Sequence, residues 1–203
     1  MGSVIGELNV GLRSLLDALQ SESMAAAKVR FCIIGFADDA VCYLEPSDLR
    51  KIETMPSLSA RGATSFAAAF DALARRIPED IKALKADDYE VNRPAVFFLT
   101  DGGPTDSDRW EGALQRLNEL SARPNILAFG IGSAVASVIR QVASNEEYAY
   151  ISATGGDTGQ AITKFITALT QSIINSGHAL AAGKASPQIE KPDNFISLAV
   201  DTV

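Results

Sequence analysis

The chain has 203 residues, 47% of them hydrophobic and 21% charged, with a net charge of -7 and a pI of about 4.7. That length suits one sizeable α/β domain rather than two, and that acidity leaves no electrostatic footprint for nucleic acid. No apolar run reaches the roughly 18 residues of a membrane span, and MGSVIGELN lacks the charged start and apolar centre of a signal peptide. Neither nucleic acid nor membrane is an expected partner, and the cytoplasm is the expected compartment.

In chain order, Val4, Ile5, Leu8, Leu12, Leu15, Leu16 and Leu19 recur at three- and four-residue intervals and predict an amphipathic helix. The run VRFCIIGF, Val29 to Phe36, predicts a strand, with Ala40 to Leu44 pairing back on it as an antiparallel hairpin at the sheet edge. The Asp38–Asp39 pair between them reads as a solvated turn. Cys32 and Cys42 lie inside these apolar runs, outside any CxxC or Cys/His cluster, so they read as buried small hydrophobes in a reducing compartment. Ser65 to Lys85 is helical in period, with Pro78 expected to break it.

Val91 to Thr100 predicts a strand whose AVFFL run has no polar alternation, so both of its faces must be covered and it belongs at the centre of a parallel sheet. Asp108 to Ala122 follows as a helix, with Asp108 and Glu111 spaced as a capping box. Trp110, in its first turn, is read as core. Next come a strand at Ile126 to Ile131, a short helix at Val135 to Ala143, a strand at Tyr148 to Ala153 and a long helix at Thr158 to Ile174. The residues from Gly177 onward read as a linker or extended arm. Strands alternating with helices of this length predict a doubly wound, mainly parallel α/β sheet with helices on both faces.

Open parallel sheets bind ligands in the loops beyond the carboxyl ends of their strands. In FFLTDGGPTD, Asp101 stands at such an end, and the loop RGATSF carries Thr64 to the start of the next helix. A hydroxyl and a carboxylate on neighbouring loops are hard oxygen ligands of the kind magnesium accepts beside its retained waters. The plainer readings are that Thr64 or Ser65 caps its helix and that Asp101 stabilises the GGP turn. Asp106 and Asp108 add negative charge nearby, with helix capping as their expected task.

The stretches GLRSLLDAL, FCIIGFADDA, RGATSFAAAF, FFLTDGGPTD and ILAFGIGS occur in the order found in von Willebrand factor A domains, and over about residues 2–176 the chain resembles the tellurium-resistance group of that family. The resemblance implies a Rossmann-like fold with a metal-ion-dependent adhesion site. Its threonine matches Thr64, here in GAT rather than GGT, and its strand-end aspartate matches Asp101. One departure stands out. The family opens with a strand ending in DxSxS; here Gly2 matches the glycine after that motif and Asn9 an asparagine of the first helix. On this reading the first central strand and its metal-binding loop are missing, the sheet has a gap at its centre, and magnesium or another divalent ion is held weakly or not at all. The gap is expected to close by pairing of the flanking strands, by the tail strand Phe195 to Val200, or by another chain, which includes self-association. The chain then divides into a domain at residues 1–176 and an arm at 177–203.

Other chemistries lack their reagents. His178 is the one histidine, no G-x-S-x-G occurs, and GHALAAGKAS departs from a phosphate loop in spacing and in the residue after its lysine. In FGIGSAV the third glycine of a dinucleotide turn is Val135, so the small residues there are expected to let a helix pack closely. The resemblance implies a protein-interaction module and not an enzyme: a scaffold in a bacterial stress-response complex whose partner protein offers a carboxylate to the ion. A small α/β enzyme or nucleotide-binding domain using the same strand-end loops is the alternative.

Overall fold

A computed structural model describes residues 4–153, 157–184 and 188–199. The chain forms two compact units: Met1–Ile33, Cys42–Ala60 and Ser152–Ile196 in one, and Ile34–Val41, Arg61–Ile151 and Ser197–Val203 in the other.

The first unit is built on helices. α1 (Ile5–Ser21) buries Leu12, Leu15, Leu16 and Leu19, the stripe its period predicts. It packs with α2 (Ser23–Ala27), a short helix that periodicity does not reveal, against the helix that starts at Thr158. Each leucine so buried stabilises the fold by roughly 1.5–3 kcal/mol before entropy is subtracted. Asn9 ties α1 to the segment before Ala60, its amide donating to Leu58 O at 2.9 Å while its Oδ1 accepts from Leu58 N–H at 2.8 Å. A single 3-10 turn at Leu49–Lys51 is capped by Asp48, which accepts from the Arg50 backbone at 3.1 Å and pairs with its guanidinium at 2.6 Å. That guanidinium holds the Asp48 carboxyl down at about 2, against an ordinary 3.8.

β1 (Phe31–Phe36) and β2 (Ala40–Ser47) form a two-stranded sheet of their own. Only antiparallel strands can be joined through so short a turn. Cys32 and Cys42 form no disulfide and are half-buried, not buried as the sequence suggests.

The second unit carries α3 (Phe66–Ala86), β3 (Ala95–Thr100), α4 (Arg109–Asn118), β4 (Asn125–Gly130), α5 (Ala136–Val142) and most of β5 (Ala149–Ser152). α3 runs unbroken through Pro78, against expectation. Pro78 is exposed, so the carbonyl its missing N–H leaves unpaired can turn to water. β3 pairs in parallel with β4, Ala95 opposite Asn125 through Thr100 opposite Gly130, and β4 pairs in parallel with β5. The long helix α6 (Thr158–Ala181) continues past the Ile174 end that its period predicts, so His178 lies within it and not after it, 3.4 Å from Glu22. β6 (Phe195–Ser197) completes the strand order β3–β4–β5–β6. The result is the expected α/β architecture, a parallel-containing sheet flanked by helices.

The position of β3 differs from expectation. It is chemically a central strand: Phe98 faces Phe66 and Phe70, at ring distances of 4.9 and 5.5 Å, while Phe97 faces the other way onto Phe129 at 6.2 Å. Among the described residues it nevertheless ends the strand order, paired on one side only. The hairpin stays in its own sheet, and the tail strand joins at the opposite end, beside β5, so among the described residues neither pairs with β3. Side chains meet where backbones do not, the ring of Phe36 stacking on Phe98 at 5.1 Å.

Candidate functional site

The loops at the carboxyl end of β3 are fastened to one another by hydrogen bonds, and each bond has a local cause. Thr64 N–H donates to Thr105 Oγ1 at 3.1 Å, and Thr105 N–H returns a bond to Thr64 O at 2.9 Å. This reciprocal pair joins the RGATSF loop to the loop that follows Asp101. Thr64 is half-buried, and its hydroxyl makes no hydrogen bond among the described residues. Ser65, as read from the sequence, caps α3, its Oγ accepting from Ala68 N–H at 3.1 Å.

Asp101 follows β3 and is half-buried. Its backbone carbonyl accepts from Ser133 N–H at 3.0 Å and from Ser133 Oγ at 2.8 Å, which locks the β3 end to the turn after β4. Gly132 makes that turn with φ +58, a left-handed conformation that side chains rarely adopt. Gly130 leaves room for Ile139 of α5, since a Cβ there would stand 2.8 Å from Ile139 Cγ1. FGIGSAV is thus a close-packing element, as its small residues suggest.

Asp106 acts differently from the sequence reading. It is 8% exposed and caps α3 rather than α4, accepting from Ser65 Oγ at 2.8 Å and Ala67 N–H at 2.7 Å through Oδ2. A carboxylate at a helix N-terminus satisfies unpaired N–H groups and meets the positive end of the helix dipole. Its other oxygen, Oδ1, is buried without a hydrogen-bond partner among the described residues. Asp108 occupies the N-cap of α4 but makes no side-chain cap bond, so the capping box expected with Glu111 does not form. The reason is backbone conformation: Asp108 has helical dihedrals, φ -84 and ψ -3, where an N-cap needs an extended residue. Trp110 is core, 5% exposed and edge-on to Phe66 at 6.0 Å.

The hairpin turn also does more than face water. Asp38 Oδ1 accepts from Ala63 N–H at 3.0 Å, Ala37 O accepts from Ser65 N–H at 2.7 Å, and Asp39 pairs with Arg61 at 3.0 Å. Nothing in the sequence pattern ties Asp38 to Ala63, since each residue is ordinary in its own turn.

The donor set at this site is one hydroxyl and one carboxylate, with Asp106 Oδ2 already committed to α3. Among the described residues no group of His, Cys, Asp or Glu large enough to hold an ion is assembled. Magnesium gives up its waters reluctantly and needs charge as well as geometry. Thr64 and Asp101 supply two hard oxygens, part of the donor set that magnesium accepts beside its retained waters.

No protein-family model matches the sequence, and no curated protein matches it. Among solved structures the chain is similar to a von Willebrand factor type A from Catenulispora acidiphila, at 14% identity and a TM-score of 0.47. The alignment covers 78% of this chain and 38% of that one, so the chain spans well under half the length of that relative.

Proposed function

We propose that this chain is a protein-interaction module of the von Willebrand factor A type whose partner-binding face is the loop cluster at the carboxyl end of β3. The observation that carries this reading is the reciprocal Thr64–Thr105 bond pair, which holds the RGATSF loop against the loop after Asp101. Motif order and spacing support it, because GAT and LTDG lie on loops that the fold ties together. Thr64 and Asp101 are the residues through which the face would hold a divalent ion, once further oxygen ligands from outside the described residues complete the set. Until then the face works as a contact surface, with a partner protein as its ligand and a scaffold role in a tellurium-resistance or stress-response complex in the cytoplasm as the proposed setting. The proposal is of binding and not of catalysis.

A photo-crosslinking residue at Ala63, in cell extract, is expected to yield a discrete protein adduct that the same residue at Tyr89 does not. The adduct should fade when Thr64→Ala and Asp101→Ala are added. Identical adducts from both positions would overturn the reading.

A second observation favours strand addition as a further route to a partner. Pro94 O and Thr100 O accept bonds from Asn125 N–H at 2.8 Å and Ile131 N–H at 2.9 Å. Alternation then turns the backbone groups of Ala95, Phe97 and Leu99 toward the open edge. An apolar edge of this kind invites a further strand, including one from another copy.

A further inference from the structure

The geometry points to Asp38 as a positioning residue for the Thr64 loop, and to glycine at position 62 as what leaves its carboxylate room to reach Ala63. The inference rests on the reading of that loop as part of a binding face. The loop runs Arg61-Gly62-Ala63-Thr64-Ser65, with only small side chains after Arg61 and no proline, and has little intrinsic stiffness. Its shape must come from outside. On the α3 side Asp106 and Thr105 supply it, as described. On the other side stands the hairpin turn: Asp38 Oδ1 accepts from Ala63 N–H at 3.0 Å and Ala37 O accepts from Ser65 N–H at 2.7 Å. Thr64 lies between these two bonds, so the direction of its hydroxyl depends on both anchors.

Gly62 gives the independent observation. Its φ lies outside the left-handed region, so backbone conformation does not demand glycine there. A Cβ at this position would fall within the Asp38 carboxylate, with Asp38 Oδ2, Cγ and Oδ1 as its three nearest atoms, and that carboxylate, the end of an exposed side chain, is what would have to move. No other neighbour is as near, and the loop backbone lies directly on the acid. A side chain at residue 62 would thus displace the carboxylate from the Ala63 N–H rather than the loop backbone. The Arg61–Asp39 pair beside it is exposed, with side chains 41% and 61% accessible, and adds little.

The test is a double-substitution cycle read by amide hydrogen exchange on the free protein, so its outcome does not depend on whether any partner exists. Asp38→Ala should speed exchange at Ala63 by about tenfold, the scale of one lost hydrogen bond, and at Thr64 in step. The amides of Leu127 and Phe129 should keep their rates. Asp38→Asn retains an oxygen acceptor and should restore protection, a rescue that a merely bulky or charged residue would not give. Gly62→Ala should speed exchange at Ala63 when Asp38 is intact, by displacing its carboxylate, and add nothing in the Asp38→Ala background. Unchanged exchange in Asp38→Ala, or equal damage from Gly62→Ala in both backgrounds, would overturn the inference. Should the cycle succeed while the Ala63 crosslink fails, the positioning stands and the binding reading falls.

Discussion

The carboxylate of Asp106 accepts the Ser65 hydroxyl at 2.8 Å and the Ala67 N–H at 2.7 Å, so the first turn of α3 is closed by a residue from the far side of β3. This ties the Thr64 loop to the strand-end loop through a buried charge. Asp106→Ala removes the acceptor and strands a buried hydroxyl and an N–H, at a cost of about 2–3 kcal/mol. Asp106→Asn keeps one oxygen acceptor but loses the charge facing the helix dipole, at a cost of about 1 kcal/mol. Urea unfolding of the two variants checks the order; equal stability of both with the parent protein would remove Asp106 from the cap.

The open edge of β3 predicts association in solution. Ala95 is exposed, and its backbone faces that edge. A charge on an edge strand discourages pairing with another chain. Sedimentation of the parent protein should shift with concentration, and Ala95→Lys should abolish the shift without lowering the melting temperature. A parent protein that sediments as a monomer at every concentration contradicts the prediction.

Metal titration tests the incomplete donor set. Calorimetry with magnesium or manganese should show no measurable binding by this chain. A version extended at its N-terminus by a strand ending in DxSxS should bind, and Asp101→Ala should abolish that binding. Tight binding by the present chain, or an extended chain indifferent to losing Asp101, would remove these residues from the site.

Asp48 predicts an acid-side contribution to stability. Its folded-state value, about 2, lies below the ordinary 3.8, with the Arg50 side-chain bond as the main cause. The stabilisation is present above pH 3.8 and is lost as pH falls through 2. It amounts to about 2 kcal/mol at most, less what water at the partly exposed Arg50 screens away. Asp48→Asn should lower stability at pH 6 and flatten its fall across that window, as followed by circular dichroism. An unchanged acid limb would exclude the pair.

Residue patterns by themselves determined most element types, α2 excepted, because periodicity reports burial directly. The leucines of α1, the alternation of strands and helices from Phe66 onward, and the close packing at Gly130 were all legible in that way. The covering of β3 was legible in part: Phe98 is buried against Phe66, while Phe97, on the other face, meets Phe129 but is only half-buried. The positions of Thr64 and Asp101 at a loop and a strand end were legible too. What only the tertiary structure decided is who partners whom. Burial says that β3 is covered on both faces but not which strands lie beside it, so its place at the end of the order was invisible. The same limit hid the reach of Asp106 to α3 and of Asp38 to Ala63. A carboxylate in a turn carries one sequence signal whether it faces water or a distant N–H, and the difference arises only when the folded backbone brings that N–H within bonding range.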